Sequence, residues 1–384
     1  MPKGSVFNAG DPQNTAHAAT GAGRSLGRRA AVGLMAGGLG GCRGIYDLIG
    51  GRFEGPPEQL ARRAGPEAAA LIAEAMEGIE PGRFADFHVH LVGLGTGPGR
   101  GHTFVNPRSR RWWDPIRHGR FRVLVSASGV TDLTDADRQY LRRLVALARH
   151  APIRGRYFLY AMDRFHNERG EPDDGRTSFY VSNQRVWEVC RDHEGLFEPV
   201  VSVHPYRPDA LEELEKWTGR GVRFIKWLPN AMNIDPKLDR CLPFYETMKR
   251  LEMVLLSHTG REDAVDAPGM QQLGNPLRLR PALEVGLEVV ALHSASNGWD
   301  LDFEADRPGR RPSFDLFMRL FDDRRYRNNL YGELAATVFF NHLPGPLRTL
   351  LGREDLHGRL VHGSDYPLPG VNLVVRTGQL VHQG

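Results

Sequence analysis

The chain has 384 residues, 41% of them hydrophobic, and a net charge of +4, which suits one large domain or two ordinary ones around a sizeable core. Only five of its 50 basic residues are lysines, and the positive surplus is dispersed, so a nucleic-acid partner is not expected. Three cysteines with no CxxC spacing exclude both a disulfide framework and a zinc ribbon.

Residues 1–42 read as a targeting segment rather than as fold. Arg28 and Arg29 precede about a dozen apolar residues that end in "LGGC" at Cys42, too short to span a bilayer but suited to a signal core. Paired arginines resemble a twin-arginine signal, and "LGGC" resembles a lipobox that would lipidate Cys42. The expected location is therefore exported, periplasmic or envelope-anchored, with a cytoplasmic chain bearing a disordered leader as the alternative. Membrane contact is expected only through that lipid. Residues 43–80 read as a helical lead-in, because 57–79 is Ala-rich with helical spacing.

From residue 81 to the end, short apolar runs alternate with longer amphipathic ones, the βαβ signature of a parallel sheet. Strands are expected at 84–92, 157–163, 198–204, 222–228, 253–258, 288–293, 330–335 and 360–365. A ninth apolar run, 121–128, lies in the Gly-, Arg- and Trp-rich stretch 94–134 and reads as part of an insertion after the first strand. Helices are expected at 135–151, 183–193, 208–219, 241–252, 277–286, 312–325 and 346–354. The fold class is thus α/β: a (β/α)8 TIM barrel with an N-terminal helical extension and an insertion after the first strand. Only 19 residues follow Asp365, so an incompletely closed or truncated barrel is expected at the C-terminal end. Cys190 and Cys241 read as small core residues, and "RSRRWW" (108–113) as an exposed loop anchored by its two Trp residues.

Polar residues recur where strands end. His88 and His90 stand two apart in "RFADFHVHLVG", so they share one face of the first strand. His204, His258, His293 and Asp365 each close a later strand, the end at which a barrel gathers its site. One such His is ordinarily a hydrogen-bonded core residue. Five with an Asp are hard to bury without a shared purpose. Neutral imidazoles with a carboxylate suit Zn²⁺, and also Mn²⁺ or Fe²⁺.

The ordered series HxH, His, His, "GSD", with "SVHPYRPDALEELE" (202–215), "IKWLPN" (225–230), "SHTG" (257–260), "LGNPLRLRPALE" (273–284) and "GSDYPLP" (363–369), resembles the amidohydrolase superfamily over residues 81–370. The likeness is to its amidohydrolase-related (amidohydrolase 2) branch of TIM-barrel metal-dependent hydrolases, which also contains decarboxylases of aromatic acids. The resemblance implies a metal held by His88, His90, His258 and Asp365, with Asp365 taking a proton from the attacking water and His293 polarising the substrate. One ion is expected rather than two. Lys226 matches a position that some members carboxylate to bridge two metals; a plain ammonium is the reading preferred here. His204, Arg207 and Asn230 are candidates for a second metal or for substrate, although His204 also reads as a strand-to-helix turn residue. Glu333, ending the seventh strand, is expected to orient a ligand His.

The implied activity is hydrolysis of a small-molecule amide, ester or lactone. The alternatives are non-oxidative decarboxylation of an aromatic or enoic acid on the same site, and a non-catalytic metal-binding envelope protein. The expected partner is a small-molecule substrate, with homo-oligomer formation left open.

Overall fold

In the computed structural model of the chain, the described residues are 41–49, 57–59, 65–267, 269–342, 344–376 and 378. The expected signal segment lies outside them up to residue 40. Within the lead-in, Gly41–Ile49 and Pro66–Ala75 are helical. None of the helices described is long and apolar enough to cross a membrane.

Eight parallel strands follow in chain order: β1 (Phe84–His90), β2 (Gly155–Tyr160), β3 (Phe197–Val201), β4 (Phe224–Trp227), β5 (Val254–His258), β6 (Glu288–Leu292), β7 (Leu330–Glu333) and β8 (Leu360–Val361). Each pairs with the next. Of the helices between them, one takes the barrel position after each of the first seven strands: α1 (Ala136–Arg149), α2 (Asn183–Asp192), α3 (Ala210–Thr218), α4 (Leu242–Arg250), α5 (Arg280–Val285), α6 (Ser313–Phe321) and α7 (Pro344–Gly352). This alternation is the (β/α)8 barrel order. Although β8 is the shortest strand, the two edges of the sheet meet just beyond it. Phe87 N donates to His362 O (2.9 Å), Asp365 N to His88 O (2.9 Å) and His90 N to Tyr366 O (3.0 Å). Asp86 adds a cross-link, its buried Oδ1 accepting from Ser364 N at 2.8 Å and from His88 N at 3.0 Å.

Period-two alternation sorts the strand side chains. Phe158 and Tyr160, Leu256 and His258, Val290 and Leu292 share the inner face; Leu159, Leu255, Val289 and Ala291 face the helices. The outer layer packs as two clusters of buried residues, one holding Leu214, Trp217, Trp227, Phe317 and Cys241, the other Leu144, Leu159, Val186 and Cys190.

The insertion after β1 is built rather than loose. Thr103–Val105 pairs antiparallel with Phe179–Val181. The apolar run 121–128 falls in a helix, Pro115–Ala127, because Asp114 caps its start by accepting from Arg117 N (3.1 Å) and Pro115 opens it. The expected anchoring by Trp112 and Trp113 is corrected: both are exposed and meet only edge to face.

Candidate metal centre

β1 delivers His88 and His90 to the inner face at the C-terminal end of the barrel. The ladder slips between Asp86 and Val89, which turns the last residues of the strand toward its partner across the closure. Asp365 arrives from the other side, in a left-handed backbone conformation (φ 59°) and tied by its N–H to His88 O. Three donor atoms therefore meet. His88 Nε2 and His90 Nε2 are 3.2 Å apart, and Asp365 Oδ1 lies 3.3 Å from the first and 3.2 Å from the second. Ligands of one tetrahedral ion at ~2.1 Å stand about 3.4 Å from one another, so the triangle has the size a single Zn²⁺-like ion requires. His88, His293 and Asp365 likewise offer donor atoms all within 4.8 Å of one another.

Burial sets the protonation of this group. It pushes the His88 imidazole well below its ordinary value, with Lys226 and His293 adding to the effect against the pull of Asp365. His258 is lowered in the same way by burial, then by His293 and Lys226. Both rings are accordingly neutral and keep a lone pair for a ligand. Burial would raise the Asp365 carboxyl, but His88, His90 and His293 outweigh it and hold it below its usual range.

His258 closes β5 with its ring edge-on to His293, centroids 4.9 Å apart, and among the described residues its buried Nε2 has no hydrogen-bond partner. That orphaned nitrogen, on a ring packed against His293, is the second sign that the donor set fits a metal. His293 begins a run of three left-handed residues, His293, Ser294 and Ala295 (φ 62°, 48° and 48°). Such a run costs of order 1–3 kcal/mol per residue unless held from outside. It is held: His293 N donates to Glu333 Oε2 (2.8 Å), Ser294 Oγ to Glu333 O (2.9 Å) and Ala295 N to Thr259 Oγ1 (2.9 Å). His293 Nδ1 lies 3.2 Å from Ala335 O, which places its proton there and leaves Nε2 to accept.

Glu333 is fully buried behind this group, 3.5 Å from His88 Nδ1 and 3.7 Å from His293 Nδ1, and its Oε1 accepts from Ala335 N (2.9 Å). Gly363 leaves it room. A Cβ there would stand 1.8 Å from Glu333 Oε1 and 2.8 Å from the His88 Cβ. The glycine of "GSD" is thus needed for close approach.

Lys226 is buried at the end of β4, beside this group. Among the described residues its ammonium has no hydrogen-bond or ion-pair partner, and it lies 5.0 Å from the Tyr160 ring. Burial lowers it to about 8, so it remains mostly cationic near neutrality.

The other three secondary candidates point elsewhere. His204 Nε2 donates to Met232 O (2.8 Å) while Nδ1 accepts from Tyr206 N (3.1 Å), so both nitrogens are used up as a turn fastener. Arg207 is paired with Asp163 (3.1 Å) and Asp209 (2.7 Å). Asn230 Nδ2 binds Gly260 O and Gln271 O, pinning the loop after β5. None of the three lines the cavity above the cluster, which corrects the expectation that they contact a second metal or substrate there.

Three residues of the site were not singled out from the sequence. Glu262 stands four positions after His258, with Oε2 3.5 Å from its Nδ1; burial pushes its carboxyl up to about 7. The spacing from His258 was the available signal. Tyr160 packs 4.9 Å from the His88 ring and donates its hydroxyl to Phe87 O. His342 lines the same cavity with Nδ1 2.5 Å from Ser296 Oγ, its ring lowered to about 3 by burial. It sits in an irregular connection, where no periodicity marks it.

No family model matches the chain, and no curated protein matches it. Among solved structures, similar chains include an uncharacterized TIM-barrel protein from Bordetella bronchiseptica (16% identity, 78% of this chain and 98% of that one, TM-score 0.47). A protein provisionally described as 2-pyrone-4,6-dicarboxylic acid hydrolase from Pseudomonas putida is 16% identical over 78% of this chain and 88% of its own, TM-score 0.43. The 4-oxalomesaconate hydratase LigJ from Rhodopseudomonas palustris is 14% identical over 78% and 89%, TM-score 0.42. At these identities the likeness does not extend to the chemistry of the site.

Proposed function

We propose that the chain is a metal-dependent hydrolase of a small-molecule amide, ester or lactone, of the amidohydrolase kind. The observation that carries this reading is the 3.2–3.3 Å triangle of His88 Nε2, His90 Nε2 and Asp365 Oδ1 at the C-terminal mouth of the barrel. Those three atoms, with the orphaned Nε2 of His258, would hold one divalent ion, Zn²⁺ by donor type and Mn²⁺ or Fe²⁺ next. When bound, such an ion supplies Lewis-acid polarisation and a more acidic water.

The chain's own groups divide the remaining work. Asp365, held ionised by the surrounding imidazoles, accepts the proton of the attacking water at a carboxylate oxygen and returns it to the leaving group. His293, its Nδ1 proton fixed on Ala335 O, faces the cavity with a nitrogen that accepts unless protonated. It serves there as a relay for that proton. Lys226, with no ion-pair partner among the described residues, offers a cation to the negative charge that develops on a carbonyl oxygen. Glu333 fixes the backbone and ring of His293, and Glu262 the ring of His258.

The test is Asp365→Asn, which retains a donor oxygen but no base. Metal binding within about tenfold of wild type, with turnover down at least ~100-fold, supports the assignment. Near-normal turnover contradicts it. Because the unpaired Lys226 also fits a substrate carboxylate, decarboxylation is the second reading, and release of CO₂ rather than of an acid and an alcohol or amine would select it.

A further inference from the structure

Above the cluster lies a cavity of about 560 Å³, within the usual range for a ligand site. Its walls are unlike its floor. The insertion helix Pro115–Ala127 turns Phe121, Leu124 and Val125 toward it, a stripe at i, i+3 and i+4. Leu94, Phe179, Phe339 and Leu368 complete the upper wall from other connections. Leu124 and Val125 are only half-buried, so among the described residues no other element fully covers the apolar face of this helix on the cavity side.

The charges on the wall are already matched. Arg117 binds both Asp114 and Asp266, each at 2.5 Å, Arg120 binds Asp266 at 3.2 Å, so two carboxylates face the two arginines, and Arg261 binds Asp263 at 2.7 Å. The one cation with no counter-ion among the described lining residues is Lys226, on the floor beside the imidazoles. A ligand therefore meets the imidazoles and the unpaired Lys226 on the floor, and along the insertion helix an apolar stripe whose neighbouring charges, Arg117 and Arg120, are already paired.

We propose that the site takes a substrate with one polar, hydrolysable head and an uncharged hydrophobic body, alkyl or aryl, seated against the insertion helix. A molecule with a second carboxylate at its far end is disfavoured, since no unpaired cation among the described lining residues waits there and desolvating that charge costs more than the wall returns. The head-group assignment rests on the hydrolase reading above. The seating of the hydrophobic body does not.

The experiment uses N-phenyl-1-naphthylamine, a neutral apolar dye whose fluorescence rises in an apolar cavity, on full-length protein with and without chelator. One dye per chain is expected in both conditions, and Val125→Lys is expected to weaken dye binding at least ~10-fold. Octanohydroxamic acid should displace the dye from the metal-loaded protein at least ~100-fold better than acetohydroxamic acid, and suberic acid monohydroxamate should lose most of that gain. Absence of dye binding, equal potency of the two alkyl hydroxamates, or full retention of potency by the suberic compound overturns the proposal. Should Val125→Lys fail to fold, the chain-length series on wild-type protein still decides. Metal content of the same sample reports separately on the hydrolase reading: dye binding in protein that takes up no metal upholds the apolar cavity and sinks the metal centre.

Discussion

Replacing Asp137 with Ala should destabilise the barrel by about 3 kcal/mol, and replacing it with Asn by about 1. Asp137 sits in the first turn of α1, where a carboxylate is favoured by the exposed N–H groups of the helix start. It is buried. Its Oδ1 accepts from Leu94 N (2.9 Å), Thr96 N (3.0 Å) and Thr96 Oγ1 (2.7 Å), and its Oδ2 from Thr103 Oγ1 (2.5 Å). Alanine strands the two backbone donors, at roughly 1–3 kcal/mol each; both are part-buried, so the lower half of that range applies. The two hydroxyls have other options. Thr103 Oγ1 lies 3.2 Å from Gly99 O and can turn its proton there. Asparagine keeps Oδ1 for the three donors around Leu94 and Thr96, and its Nδ2 can donate to Thr103 Oγ1 once that hydroxyl turns to Gly99. What asparagine loses is charge. Urea denaturation at pH 7 measures both variants, and amide exchange at Leu94 and Thr96 locates the effect. Alanine within 1 kcal/mol of wild type, or asparagine as costly as alanine, would refute the claim that this one carboxylate pins the connection lining the cavity.

Gly363→Ala should disrupt the centre, since its Cβ would overlap Glu333 Oε1; a loss of metal affinity above ~10-fold is expected by competitive titration, and unchanged affinity would show that Glu333 is free to move. Metal removal by chelator should lower stability by RT ln(1 + [M]/Kd), about 2.7 kcal/mol at 100 times Kd, read as a metal-concentration-dependent thermal midpoint; a midpoint indifferent to metal contradicts this. Acidification acts away from the centre through His204, which burial and the neighbouring His166 hold well below the ordinary imidazole value. Its folded value is the lower one, so the unfolded chain takes up the proton first and stability falls as pH drops below ~6.5. From pH 7 to 5 the loss grows as the unfolded chain takes up a proton that the buried ring resists. His204→Gln should reduce the slope in urea titrations by the share of one group, the buried rings of His88, His258, His342 and His166 supplying the rest, and an unaltered slope would assign it wholly to those.

The barrel was legible because each strand carries its signal locally. The runs at 84–90, 254–258 and 288–292 are β-branched or apolar, bounded by polar turns, and period two puts His88 with His90. The run 121–128 looks like a strand for the same reason, and its helical state is decided by Asp114 and Pro115 before it, a start signal outside the apolar window. Asp365 and His293 were visible as strand-end residues, but their left-handed backbones were not, because that conformation is imposed by Glu333, Thr259 and the closure with β1. His204, Arg207 and Asn230 occupy strand-end or loop positions much like those of the cluster residues. What separates them is whether a nearby backbone carbonyl or carboxylate claims the side chain first, and Met232, Asp163 and Gly260 do. Glu262 and His342 belong to irregular connections that no periodicity marks: Glu262 meets His258 four residues away, whereas the pairing of His342 with Ser296 is settled by tertiary contact alone.

Counting bound metal tests the account most directly. Protein purified without chelator, then dialysed against micromolar Zn²⁺ or Mn²⁺, should hold one equivalent by elemental analysis, and His88→Ala or Asp365→Ala should hold less than ~0.1. Wild-type protein that takes up no metal, or variants that keep a full equivalent, would contradict the claim that these side chains close around a single ion.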